Sequence, residues 1–169
     1  MKNKAKDVVI TAMMASLICV ATMIIKIPTS FGYINLGDCF VLLAGWALSP
    51  LYGFCAAAIG SALADVFSGY AMYAPVTFIV KGIMALIAFY GVKLLTTKKC
   101  NELVSLITCG ATAEILMILG YFVFEGILYG FIASAANIPF NAIQGIVGLI
   151  LGILLFKIFK KNNFFTTKE

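Results

Sequence analysis

The chain has 169 residues, of which 63% are hydrophobic and only 11% charged. A water-soluble domain of this length is about half apolar and a quarter charged, so the excess of apolar side chains demands a bilayer and leaves no room for a separate soluble catalytic module. The net charge is +5, yet the lysines cluster at the chain ends and in one loop. That placement reads as membrane topology rather than as a nucleic-acid surface.

The first segment, Met1 to Lys6, is polar and basic, and Val8 to Ile25 is then continuously apolar or small. Such a run is long enough to cross a hydrocarbon core. A signal peptide would also start basic, but no small-x-small cleavage site follows Lys26-Ile27-Pro28, so we read a first membrane helix over about residues 7–27. Ala12, Ala15, Ser16 and Cys19 recur at spacings of three and four, which makes one smooth face that a second helix can approach closely. Packing within the same chain is an equally good use of that face.

Residues 36–49 and 51–68 form two shorter apolar runs separated by Ser49-Pro50. Each falls under the roughly 20 residues of a usual span, so a re-entrant hairpin and two full crossings both remain open. Gly53, Ala57, Gly60, Ser61 and Ala64 give the second run its own small-residue stripe. Pro75 suits the first turn of a fourth helix, over about 75–96. A fifth helix is expected over 102–125. An aromatic connection from Glu125 to Pro139 follows, apolar enough in its middle to dip into the membrane interface. A sixth helix runs over about 139–160, with Gly145, Gly148 and Gly152 along one face. The expected fold is therefore all-α: one membrane domain of six transmembrane helices.

Six crossings place both termini on one side. Lys2, Lys4 and Lys6, then Lys93, Lys98 and Lys99, then Lys157, Lys160, Lys161 and Lys168 all fall there, while the opposite loops hold only Lys26. The positive-inside rule makes that side cytoplasmic. The polar turns at 33–38 and 68–75 then face outward.

A charge in hydrocarbon costs at least a few kcal/mol, so Asp65, Lys81, Glu114 and Glu125 need partners or a task. One reading is a structural ion pair of Lys81 with Asp65 or Glu114. The other is a polar pocket open to the outside, lined by Asn35, Tyr73, Thr77, Lys81, Glu114, Tyr121, Glu125, Asn137, Asn141 and Gln144. Aromatic rings with a few amides and carboxylates suit a flat heterocycle, which needs stacking surface and directional hydrogen bonds. Asp38 follows a glycine at a helix start, and an N-terminal cap is its expected role.

The sequence contains no GxxxxGK[ST] loop for ATP phosphates and no GxSxG or HExxH motif. It has no histidine, and its five cysteines form no CxxC pair, so a metal site of the usual kind is not expected and no cofactor is implied. We expect a binding protein, not an enzyme. A small autonomous transporter or channel is the alternative.

The block INLGD, a following proline, and then GSALADVFSGYAMYAPVTFIVKG resemble the substrate-binding S components of energy-coupling-factor (ECF) vitamin transporters. The nearest branch is riboflavin-type and includes pyridoxine and hydroxymethylpyrimidine proteins. The resemblance implies a subunit that captures a vitamin at the outer face. It also implies a shared transmembrane (T) subunit and two cytoplasmic ATPases as partners. In that family a small-xxx-small motif on the first helix docks on the T subunit; Ala12 and Ser16 have that spacing, with Ala15 beside them. Pyridoxine- or hydroxymethylpyrimidine-like rings are the favoured ligands, with riboflavin next.

Overall fold

A computed structural model describes residues 4–29 and 32–162; Lys2 and Lys168 of the charge count lie outside the described residues. The described residues form a helical bundle with a short β-hairpin. Helix α1 covers Lys4–Ile24, strands β1 and β2 cover Lys26–Pro28 and Tyr33–Asn35, and α2 covers Gly37–Ala47. There follow α3 (Pro50–Phe67), α4 (Ala74–Thr97), α5 (Glu102–Tyr129), the short α6 (Phe131–Ala135) and α7 (Ile138–Lys161). Five of these segments are long and apolar enough to cross a membrane; α2 is the shorter sixth.

Prolines mark the starts. Pro50, Pro75 and Pro139 each occupy the first turn of a helix, where the missing N–H would have had no partner in any case. Helix α5 begins instead with a side-chain cap, the Leu103 amide donating to Asn101 Oδ1 at 2.9 Å. It ends at Gly130, whose φ of 92° lets the chain turn sharply into α6.

Helix α2 is the axis of the bundle. At about 1.5 Å per residue its 11 residues rise roughly 16 Å, about half a hydrocarbon core. It never has to meet lipid over that length, because all of it except Phe40 and Ala47 is buried. It packs against α1, α3, α4 and α7. The core around it is formed by Val41, Leu42 and Leu43 with Met84, Leu106 and Met117. Glycines set the close approaches. A Cβ on Gly45 would sit 2.6 Å from the Ala85 carbonyl oxygen of α4, and one on Gly60 would sit 2.4 Å from the Ala15 carbonyl oxygen of α1.

The outer faces of the long helices carry many bare apolar side chains, such as Ile24, Ile79, Ile115 and Ile150. Exposed apolar surface on that scale has no place in water, and the protein is a multi-pass membrane protein. Alternation of the long helices brings the starts of α1 and α5 and the ends of α4 and α7 to one end of the bundle. Lys160 pairs with Glu102 there, tying α7 to α5. The pair is exposed, so it marks position more than it adds stability.

Two local features depart from the sequence reading. Residues 25–27, expected as the end of α1, leave the helix. Lys26–Pro28 pairs antiparallel with Tyr33–Asn35, Ile27 facing Ile34. Pro28 disfavours helical geometry in the residue before it, and the Ile27/Ile34 pair supplies the β-branched contact that a two-stranded ribbon needs. Helix α5 continues past Glu125 to Tyr129, and α6 folds back on it, the Ser134 hydroxyl donating to the Phe122 carbonyl at 2.8 Å.

Candidate functional site

The polar groups gather at the hairpin end of the bundle, opposite the lysine-rich end. Several elements contribute. β2 supplies Tyr33 and Asn35. The end of α3 supplies Asp65, and the turn after it supplies Tyr70 and Tyr73. Thr77 comes from α4, Tyr121 and Glu125 from α5, and Asn137, Asn141 and Gln144 from the start of α7 and the residue before it. Together with Gly32 they line one cleft, whose enclosed space is about 40 Å³.

Three hydrogen-bonded groups build its walls. Tyr33 donates to Asp65 Oδ1 at 2.7 Å, which fastens the hairpin to α3. Lys26 reinforces this from outside: its ammonium donates to Ser68 Oγ at 3.0 Å and lies 5.6 Å from the Tyr33 ring centre. Thr77 and Tyr121 share a hydrogen bond of 3.0 Å between α4 and α5. The Asn137 amide donates to both Glu125 oxygens, at 2.8 and 3.0 Å, and the Tyr73 hydroxyl reaches the same carboxylate at 3.5 Å. Tyr33, Tyr70, Tyr73 and Tyr121 form a chain of tilted and edge-on ring contacts with centroids 5.0 to 6.5 Å apart. Such pairs stiffen a wall beyond what their buried area provides. Burial, with Asp65 beside it, pushes the Tyr33 phenol well above its usual range; burial and Glu125 do the same for Tyr73. Both therefore remain hydroxyl donors.

Beneath the cleft lies a second polar layer. Lys81 pairs with Asp38, and both are almost completely buried. Asp38 Oδ2 also accepts from Gln144 Nε2 at 2.7 Å. A carboxylate can only accept here, so the Gln144 amide nitrogen must face Asp38 and its oxygen must face the other way. That oxygen accepts from the Asn35 backbone N–H at 2.9 Å, and Asn35 Oδ1 accepts from the Gly37 N–H at 2.9 Å. A continuous relay thus runs from Lys81 in α4 through α2 and α7 to the hairpin. Lys81 also sits 5.6 Å from the Tyr121 ring centre, just under the cleft.

Eight of the ten residues expected in the pocket line this cleft: Asn35, Tyr73, Thr77, Tyr121, Glu125, Asn137, Asn141 and Gln144. Lys81 and Glu114 do not. Lys81 faces Asp38, and Glu114 lies deeper on α5, packed on Gly145 and Gly148 with neither carboxylate oxygen hydrogen-bonded among the described residues. The ion-pair partner differs from the expected Asp65 or Glu114, because Asp65 turns to Tyr33 while Asp38 points inward. Asp38 accordingly caps nothing. Asn35 accepts the Gly37 amide at that helix start and frees Asp38 for the core. Tyr33, Tyr70 and Asp65 line the cleft without having been singled out for it. The tyrosine in each polar turn was the available signal.

A second, larger hollow of about 620 Å³ runs between α1 and α3, with Ala12, Ala15, Ser16 and Cys19 on one side and Tyr52, Cys55 and Ile59 on the other. Two of its hydroxyls serve their own helix, Thr11 donating to the Asp7 carbonyl and Ser16 to the Ala12 carbonyl. It has surface but little directional chemistry. Ala15 is half-buried on the Gly60 crossing, while Ala12 and Ser16 stay exposed. No cluster of three or more metal-ligating side chains occurs among the described residues.

A bundle of this form, with a polar cup at one end of apolar spans, is that of a membrane-embedded solute-binding subunit. Residues 2–161 match the ECF-type riboflavin transporter, S component family, and the chain belongs to that family. Over 94% of its length the fold resembles the solved S component of a bacterial ECF transporter, at 28% identity and a TM-score of 0.69, covering 98% of that chain. A biotin S component of an ECF-type ABC transporter shares the fold at 22% identity and a TM-score of 0.63, over 93% of this chain and 95% of the other. A protein of Pyrococcus woesei, described as an uncharacterized protein in the gap 3′ region, is 36% identical over 146 residues, 85% of this chain and 95% of that one. The family is one of transporter subunits rather than enzymes.

Proposed function

We propose that this chain is the vitamin-capturing subunit of an ECF-type importer, and that the cleft at the hairpin end is its binding site. The observation that carries this reading is the convergence of tyrosines, amides and two carboxylates from four helices, a strand and the turns beside them onto one cleft. Such a lining offers ring-stacking faces and directional hydrogen bonds to a flat heterocycle. A pyridoxine- or hydroxymethylpyrimidine-like ring is the favoured guest, ahead of riboflavin. The small enclosed volume supports that order, and even a single ring requires the tyrosine wall to part.

The lysine-rich end faces the cytoplasm, which turns the cleft outward. The partners are a T subunit and two cytoplasmic ATPases. The exposed Ala12–Ser16 face, beside the α1–α3 hollow, is the docking surface for the T subunit, since small residues let another helix approach closely. Isothermal titration of the purified protein against a panel of B vitamins tests the binding role. Tagged protein pulled from its native membrane should bring down a membrane subunit and two ATPases. A chain that binds a vitamin yet travels alone would act as an autonomous transporter.

A further inference from the structure

Two buried acceptor atoms on residues of the cleft have no donor, and they identify its guest more closely. This inference rests on the binding role proposed above. Asp65 is 7% exposed; Tyr33 donates to its Oδ1 and the Thr77 hydroxyl lies near the carboxylate, yet its Oδ2 has no hydrogen-bond partner within 3.5 Å among the described residues. Asn137 is 4% exposed, and because Glu125 can only accept, the Asn137 amide nitrogen must face Glu125. Its oxygen is left facing elsewhere, and it too has no partner among the described residues. Both orphaned atoms belong to residues that line the cleft. A buried acceptor left unmade costs the full desolvation of that atom, so the cleft is completed by something that donates.

The positive charges nearby are already engaged. Lys81 lies beneath the lining and is paired with Asp38, and Lys26 packs outside on Tyr33 and Ser68. The lining itself holds two carboxylates, Asp65 and Glu125, and no lysine among the described residues. Tyrosine faces around it favour a ring that is neutral or positively charged over one that is negative.

We propose that the cleft selects a ring carrying N–H or O–H donors, neutral or cationic, and rejects the phosphate ester of the same ring. The donors reach Asp65 Oδ2 and Asn137 Oδ1 when the tyrosine wall parts to admit the ring, and the carboxylates repel an added dianion.

Titration calorimetry on the detergent-purified full chain tests this with matched pairs. The pairs are pyridoxine and its 5′-phosphate, the aminopyrimidine alcohol and its phosphate, and riboflavin and its 5′-phosphate; pyridoxamine serves as a cationic probe. For the ring that binds, the ester should be at least about 100-fold weaker, since like charges brought together at an interface are strongly disfavoured. Asp65→Asn should weaken the parent ring about tenfold and narrow the parent-to-ester ratio. Glu125→Gln should narrow it too, and serves as the second variant if Asp65→Asn fails to fold. An ester within threefold of its parent overturns the inference and leaves the binding role standing. Variants that weaken both forms equally overturn it as well, because a purely structural role would do that. No binding of any unesterified ring overturns the binding role and the inference together.

Discussion

Asp38 and Lys81 form a buried ion pair between α2 and α4, and Gln144 of α7 completes it by donating to the second Asp38 oxygen. Three helices are thus pinned at one point directly under the cleft. Removing one partner leaves the other charge stranded in the core, at a cost of about 3–5 kcal/mol. Lys81→Ala should therefore lower the unfolding midpoint sharply, and so should Asp38→Ala. Lys81→Met combined with Asp38→Leu should recover much of the loss, because it strands no charge. Thermal denaturation of the four proteins in one detergent checks this. Equal losses that simply add in the double variant would show that the pair is not coupled.

Glu114 is the second buried charge that needs an account. Both of its oxygens lack hydrogen bonds among the described residues, and α7 packs Gly145 and Gly148 against its side chain. An unmatched buried carboxyl is a liability to the fold. Glu114→Gln should raise the unfolding midpoint, whereas Glu114→Ala should lower it by opening a cavity. Neither should change the ligand contacts directly. A large loss of vitamin affinity in Glu114→Gln, at unchanged stability, would return Glu114 to the binding site.

The seam of α1 and α3 depends on Gly60. A Cβ there meets the Ala15 carbonyl oxygen at 2.4 Å, and backbone yields less readily than a side-chain tip. Gly60→Ala should cost about 1–3 kcal/mol by overpacking. Gly120→Ala is the control: the nearest atoms to its Cβ belong to the Val80 side chain, at 2.7 Å, rather than to backbone, so its effect should be smaller. Denaturation midpoints of the two variants decide it.

Ala12 and Ser16 are exposed, and the Ser16 hydroxyl donates to the Ala12 carbonyl of the same helix. Ala12→Leu and Ser16→Leu should keep stability and vitamin affinity, yet prevent co-purification of the T subunit and the ATPases. Ala15→Leu should also reduce stability, because Ala15 packs on Gly60. Retention of the full complex by Ala12→Leu and Ser16→Leu would move the docking surface elsewhere.

Much of this architecture was legible in the chain itself. Apolar runs bounded by Pro50, Pro75 and Pro139 locate three helix starts, because proline suits only the first turn. Lysine placement orders the ends. The membership of the cleft was legible where a residue's helix face was clear, as for Tyr121 and Glu125 four residues apart. It failed where long-range pairing decided the outcome. Nothing local tells Asp38 to abandon its cap for Lys81, 43 residues away, or turns Asp65 toward Tyr33, 32 residues before it. The hairpin was missed for a related reason. Three-residue strands carry too little alternation to outweigh a preceding helical run.

The central claim is that the hairpin-end cleft holds a vitamin ring. Titration calorimetry of the wild-type protein beside Tyr121→Leu and Glu125→Ala tests it most directly, with each variant first shown to be folded. The account predicts one-to-one binding of a B-vitamin ring by the wild type and a loss of at least tenfold in each variant. Wild-type affinity retained in both variants, or no binding of any vitamin by the intact chain, would contradict it.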